Sequence, residues 1–254
     1  MKIKWYGTAS ISIESNGQKI LFDPFVPLFG SKVKTKLSDF IGYDNILITH
    51  GHFDHCSNIP KLAENSKFNV FCTNTPYNTL VKKGVSKEYF NKIKPGQVIK
   101  LDNFEIEVFQ GKHIEYDKDN WKYYALYYKC FTHFFNIPYI IKTNNQYKEN
   151  GETLIYRIKV ENKIIYLLGS IGIDELTRYP KGCDLLILPY QGKRNLVTPA
   201  LEVINELMPK AILFDHYDDT FPPITKQVST KSLEAVLDNK IKIIKDIYNT
   251  DIEI

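Results

Sequence analysis

The sequence predicts an α/β fold of four layers, an αββα sandwich in which two mixed β-sheets lie face to face with helices outside. Three observations carry this prediction. The first 25 residues alternate and turn like a β-meander. From Asn45 onward, strand-sized apolar runs and helical segments take turns along the chain. Several histidines stand at or just past the ends of predicted strands, where loops on a rigid scaffold converge on one rim.

In order, Ile11 and Ile13 alternate with polar neighbours, and Asn16-Gly17 turns the chain into Lys19 to Asp23. Asn45 to Thr49 reads as a buried strand and Ser57 to Asn65 as the start of a helix, which places the intervening residues on a loop. Asn69 to Thr73 is a strand, Pro76 to Lys83 a helix, and Phe104 to Gln110 a strand leading to His113. Thr153 to Val160 and Lys163 to Leu168 form a hairpin about Glu161-Asn162. Strand Asp184 to Pro189, helix Pro199 to Leu207, strand Ala211 to His216 and a helix from Thr230 to about Asp238 complete the order.

The segment from Asp117 to Tyr147 breaks the alternation with a dense group of rings. Trp121, Tyr124, Tyr128, Phe131 and Phe135 recur at helical spacing, which predicts a helix across a sheet edge. Core cover, a lid or apolar channel, a dimer interface and a shallow membrane-docking surface are all open readings. His133, within this segment, reads as a helix-face residue.

Composition narrows the function classes. At 254 residues with candidate ligands spread from His50 to His216, one domain over 1–254 is expected, with an aromatic-rich insertion at about 117–151. A net charge of +4 with scattered lysines argues against nucleic acid as a partner. Without a leader-like start or a membrane-length apolar run, the cytoplasm is the expected compartment. Cys56, Cys72, Cys130 and Cys183 form no C-x-x-C pair and read as free, buried thiols. Cys56 directly follows His55; the bland reading, a small buried side chain, is preferred over a metal ligand.

Five of the six histidines fall into one pattern: His50, His52 and His55 in Thr49-His50-Gly51-His52-Phe53-Asp54-His55, then His113 and His216. Three imidazoles and a carboxylate within six residues are retained in a fold when a cation sits among them. His50 and His52 can face one ion and Asp54 and His55 another, with His113 and His216 as candidates for the remaining ligands.

This run resembles the signature of the metallo-β-lactamase-fold hydrolases. Lys2 to Ser10 and Lys19 to Phe25 resemble the start of the branch holding the ascorbate-6-phosphate lactonase-like and N-acyl-phosphatidylethanolamine phospholipase D-like proteins, and Phe214-Asp215-His216-Tyr217 resembles its last ligand strand. The resemblance implies one site of His50, His52 and His113 and a second of Asp54, His55 and His216. Asp23 is implied as the carboxylate that accepts a ligand histidine's other ring N–H. One position departs from the pattern. Where the family has an aspartate bridging two metals, this chain reads Tyr166-Leu167-Leu168-Gly169-Ser170, and neutral Ser170 supplies no bridging charge. Asp174 would need the chain to fold back to replace it.

The expected function is therefore a metal-dependent hydrolase acting on an ester or lactone, or a phosphodiester, of a small molecule that can carry an apolar group. Zn²⁺ is the expected cofactor, as one or two ions, with Mn²⁺, Fe²⁺ or Ni²⁺ as alternatives. Asp54 is the candidate to orient the attacking water and carry its proton, and Tyr190 or Tyr217 to hydrogen-bond the developing oxyanion. Two competing readings are a diiron redox protein, disfavoured because the second histidine is kept as His52, and a metal- or ligand-binding protein weakened in turnover by Ser170. Oligomeric state is open, homo-oligomers included.

Overall fold

The computed structural model describes residues 1–115, 133–245 and 247–253. The first sheet holds β1 (Lys2–Trp5), β2 (Ile11–Ser15), β3 (Gln18–Phe22), β4 (Asn45–Leu47), β5 (Asn69–Cys72), β6 (Phe90–Lys92) and β14 (Asp251–Glu253) in the order β14-β1-β2-β3-β4-β5-β6. The second holds β7 (Val98–Leu101), β8 (Phe104–Gln110), β9 (Leu154–Val160), β10 (Lys163–Leu168), β11 (Leu185–Pro189), β12 (Ala211–Asp215) and β13 (Lys242–Ile244) in the order β13-β12-β11-β10-β9-β8-β7. Each sheet is antiparallel over its first four strands, β14-β1-β2-β3 and β7-β8-β9-β10, and parallel from β3 or β10 to its far edge. Both sheets are therefore mixed in the same way.

The two-residue period of a strand decides which core each side chain enters. In β3, Ile20 and Phe22 join Phe104, Ile106, Val108 and Tyr156 in the inter-sheet core, while Leu21 joins Ile46, Val70, Leu62 and Leu80 beneath the outer helices. Phe22 and Tyr156 meet across the sheets with ring centroids 5.6 Å apart. Burial on both faces is why these strands read as apolar runs rather than as strict alternation.

The helices are α1 (Phe53–Cys56), α2 (Ile59–Ala63), α3 (Asn74–Lys82), α4 (Asn136–Gln146), α5 (Val197–Leu207) and α6 (Lys231–Glu234). Two expectations need correction here. The helix expected from Ser57 to Asn65 is shorter, α2 alone, with Pro60 in its first turn, and a separate α1 precedes it, beginning inside the histidine run with His52 as its N-cap. Asp54 and His55 thus stand on a helical turn, not on a loop. The final helix is only α6, because Asp238 starts a turn that leads into β13. The helix expected through Trp121 to Phe135 lies largely outside the described residues. Phe134 and Phe135 precede α4 and are exposed, as is Tyr139 on it, while His133 packs against Gly30 and Phe29. Among the described residues, no helix is long and apolar enough to cross a membrane.

Candidate metal centre

Hydrogen bonds join the two sheets where β4 ends. Leu154 N donates to Thr49 O at 2.9 Å and Tyr156 Oη to Ile48 O at 2.7 Å, joining the second sheet to the segment that enters the histidine run. Gly169 permits this approach, since a Cβ there would lie 2.6 Å from the Thr49 Cβ.

Thr49 leaves the strand ladder because its backbone N–H goes to Asp23 Oδ1 at 2.8 Å. Its hydroxyl donates to Asp23 Oδ2 at 2.5 Å, and His55 Nδ1 lies 2.8 Å from the same oxygen. Asp23, fully buried just past β3, thus takes three donors. A carboxylate there accepts, so His55 carries its proton on Nδ1 and leaves a lone pair on Nε2. The single Thr49 hydroxyl hydrogen is already engaged, so its contact with His50 Nδ1 at 3.1 Å makes that nitrogen a donor too. His113 Nδ1 donates to Ile114 O at 2.9 Å. Three ring orientations are in this way set from behind, each presenting Nε2 forward.

Those nitrogens converge in two groups. His50, His52 and His113 form one, and Asp54, His55 and His216 the other, with the ligand atoms of each within 4.8 Å of one another. The His50 and His55 rings, 3.9 Å apart at their centroids, join the groups. His216 follows β12 in a left-handed conformation, φ 54°, and its N–H is held by Thr8 O at 2.9 Å. Its Nε2 lies 3.0 Å from Asp54 Oδ2.

Burial, then the neighbouring imidazoles, pushes His50 well below the usual imidazole value. Burial likewise lowers His52 to about 4 and lowers His113. All three are neutral near pH 7, the state that binds a cation. In the second group burial works against both charges, but His55 and His216 hold the Asp54 carboxyl below its ordinary range. Asp54 in turn raises His216 to about 9 against the same burial, with Asp218 and Asp215 adding to the effect.

This donor set fits a divalent metal. His55 Nε2, bearing a lone pair, faces Asp54 Oδ2 at 3.7 Å, two acceptors that a cation between them would reconcile. Imidazole nitrogens with one carboxylate suit a borderline transition ion rather than the all-oxygen cages of calcium or magnesium.

A cavity of about 930 Å³ opens over both groups, with Ile114, Ile140, Ile171 and Phe221 among its walls and Ser170 at its edge. Gly51 lets the chain after α4 close on the histidine run, because a Cβ there would lie 2.1 Å from Lys148 O. Several sequence candidates are not part of this arrangement. Tyr190 packs on Phe214 and Tyr217 stacks on Trp5, and neither lines the cavity, so neither is in place to meet an oxyanion. Asp174 accepts from Thr177 and belongs to neither group. Cys56 donates to His52 O, and burial pushes its thiol up. Sequence reasoning missed Thr49, whose only signal was its place directly before His50, and the Ile114 carbonyl, which no side-chain pattern could mark.

Among known proteins, a UPF0173 metal-dependent hydrolase of Ligilactobacillus salivarius is 27% identical over 235 residues, covering 90% of each chain. The structure of Igni18, a metallo hydrolase of Ignicoccus hospitalis, superposes with a TM-score of 0.63 at 21% identity over 99% of this chain and 97% of the other. Zn²⁺-bound PqqB of Methylobacterium extorquens gives 0.59 at 13% identity over 96% and 87%. These likenesses agree in fold. The family model described as "Beta-lactamase superfamily domain" matches residues 2–216, and the chain belongs to that superfamily.

Proposed function

We propose that this protein is a metal-dependent hydrolase in which His50, His52 and His113 hold one divalent ion and Asp54, His55 and His216 a second. The observation that carries the reading is the pair of convergent groups beneath one cavity. Relatives named metal-dependent hydrolases across most of the chain support it. Zinc is the first candidate, since the set is dominated by imidazoles.

A bound ion would act as a Lewis acid and lower the pKa of water to about 7. The chain's own residues supply the rest. Asp23 and the Ile114 carbonyl keep His55 and His113 in the tautomers that face forward. Asp54, ionised near neutral pH, can orient the attacking water and accept its proton. Ile114, Ile140 and Phe221 give the cavity apolar walls that exclude bulk water and suit an apolar group on the substrate. An ester, a lactone or a phosphodiester fits this chemistry.

Ser170 favours one second reading, a metal-binding protein with weakened turnover, because a neutral hydroxyl stands where the superfamily pattern carries a bridging aspartate. One experiment separates the two. Metal per chain is measured by elemental analysis, and the loaded protein is then assayed on lactones, phosphodiesters and aryl esters before and after chelation. Hydrolysis lost on chelation and regained with zinc is expected. Full metal occupancy with no turnover on any of these bonds would overturn the hydrolase reading in favour of the second.

A further inference from the structure

The position that lacks the bridging acid has a different connection, running through the backbone to His113. Ser170 Oγ accepts the Ile114 N–H at 3.0 Å, and the carbonyl of the same residue accepts His113 Nδ1–H at 2.9 Å. Ser170 and Ile114 are both buried. Two further links, Lys112 N to Gly172 O at 3.2 Å and the isolated bridge between Gly111 and Ile173, hold the 170–173 turn alongside the chain that carries His113. We infer that Ser170 is the positioning residue for His113: its hydroxyl oxygen anchors the backbone of Ile114 at the N–H, and the carbonyl at the other end of that residue sets the tautomer and direction of the imidazole. The metal role of His113 rests on the proposed function, whereas the tautomer does not.

The physical reason is local. A serine oxygen offers lone pairs at short reach and no net charge, so it can hold a buried amide without placing an anion between the two histidine groups. With Ser170→Ala the Ile114 N–H has no acceptor there, and the backbone of Ile114 is free to change its φ and ψ toward another. The Ile114 carbonyl, one residue unit on, is then released from its place at His113, and the imidazole can take its other tautomer, with the proton on Nε2 and the lone pair turned away from His50 and His52. The Ser170 hydroxyl bonds to the chain that carries His113, a ligand of the first subsite alone, so losing it should act on the first and leave the second.

The test uses the whole chain, first free of metal and then titrated with zinc. Nitrogen-15 NMR of the metal-free protein should report His113 as the Nδ1–H tautomer in the parent and in Ser170→Thr, and as a mixture in Ser170→Ala. Zinc titration should show a 10- to 100-fold loss at one subsite only in Ser170→Ala, as expected when a ligand's orienting partner is removed, with Ser170→Thr near the parent. A folded Ser170→Ala protein with an unchanged His113 tautomer overturns the inference, as does equal weakening of both subsites. A parent that binds no zinc while the tautomer shift still occurs would sink the metal reading and leave the positioning role standing.

Discussion

Asp23→Asn probes the hydrogen bonding behind the centre with almost no change of shape. Asp23 sits at φ 45°, a left-handed conformation that asparagine tolerates well, so the substitution adds little backbone strain. Its two oxygens take three donors, Thr49 N, Thr49 Oγ1 and His55 Nδ1. An amide replaces one of those oxygens with an NH₂ group. If the NH₂ group takes the Oδ2 place it meets the Thr49 hydroxyl and His55 Nδ1, and His55 must move its proton to Nε2, the nitrogen that faces Asp54. If it takes the Oδ1 place it meets the Thr49 N–H, which then has no acceptor.

Each unmatched buried donor costs about 1–3 kcal/mol, so global stability should fall by roughly that amount. Zinc affinity of the Asp54, His55 and His216 group should fall about 10- to 100-fold, roughly 1.4–2.7 kcal/mol. The group of His50, His52 and His113 should be nearly unchanged, since His50 Nδ1 still has the Thr49 hydroxyl. Competition with a chromophoric chelator resolves the two affinities, and thermal melting reports stability. A variant that binds both ions within twofold of the parent would refute the reasoning. Asp23→Ala orphans all three donors, about 3–9 kcal/mol, comparable with the stability of a whole domain, and should not accumulate as folded protein.

Three further outcomes follow from the same structure. In the metal-free protein, His216 is raised to about 9 from an unfolded value of about 6.5, so its stabilisation is complete below 6.5 and is lost as pH rises through 9, about 3 kcal/mol in all. His52, lowered to about 4, works oppositely and destabilises the fold as pH falls below 6.5; melting should therefore peak near neutrality, and a flat profile from pH 5 to 9 would contradict both assignments. Gly169→Ala places a Cβ 2.6 Å from Thr49 Cβ and 2.8 Å from its Oγ1, which should cost about 1–3 kcal/mol in denaturant unfolding and weaken zinc binding together with it. Phe104→Ala, deep in the inter-sheet core, should cost about 3–5 kcal/mol yet leave the metal stoichiometry of the folded protein unchanged.

How much of this was legible in the sequence depended on how each element is stabilised. β1 to β3 and β8 to β12 carry branched and aromatic residues that bury one or both faces, so their patterns are visible without neighbours. β6, β7, β13 and β14 are strands of three or four residues, and they are the four edge strands of the two sheets. Lysine, asparagine, aspartate and glutamate interrupt them, and only pairing makes them strands. α4 buries Asn136, Ile140 and Thr143 at helical spacing, but two of the three are polar, so a search for apolar periodicity passes over it. In the centre, the histidines were legible because few structures tolerate so many imidazoles together. Of the supporting groups only Asp23 was marked, through the resemblance of its segment; the others were not, because backbone carbonyls, amides and a threonine hydroxyl have no signature of their own.

The position of the centre at the seam explains why so few of its supports lie near one another in sequence. His50, His52, Asp54 and His55 leave the first sheet after β4, while His113 and His216 follow β8 and β12 of the second. Neither sheet alone completes a group, since each needs one histidine from the second sheet. The contacts that bring them into register, Leu154 N to Thr49 O, Tyr156 Oη to Ile48 O and His216 N to Thr8 O, all cross from one half of the chain to the other. A ligand that binds only the docked sheets stabilises them by RT ln(1 + [L]/Kd), about 2.7 kcal/mol at a hundredfold excess over Kd. An ion held by the proposed groups at this seam would therefore clamp the fold, and its removal should be felt first where the two halves meet.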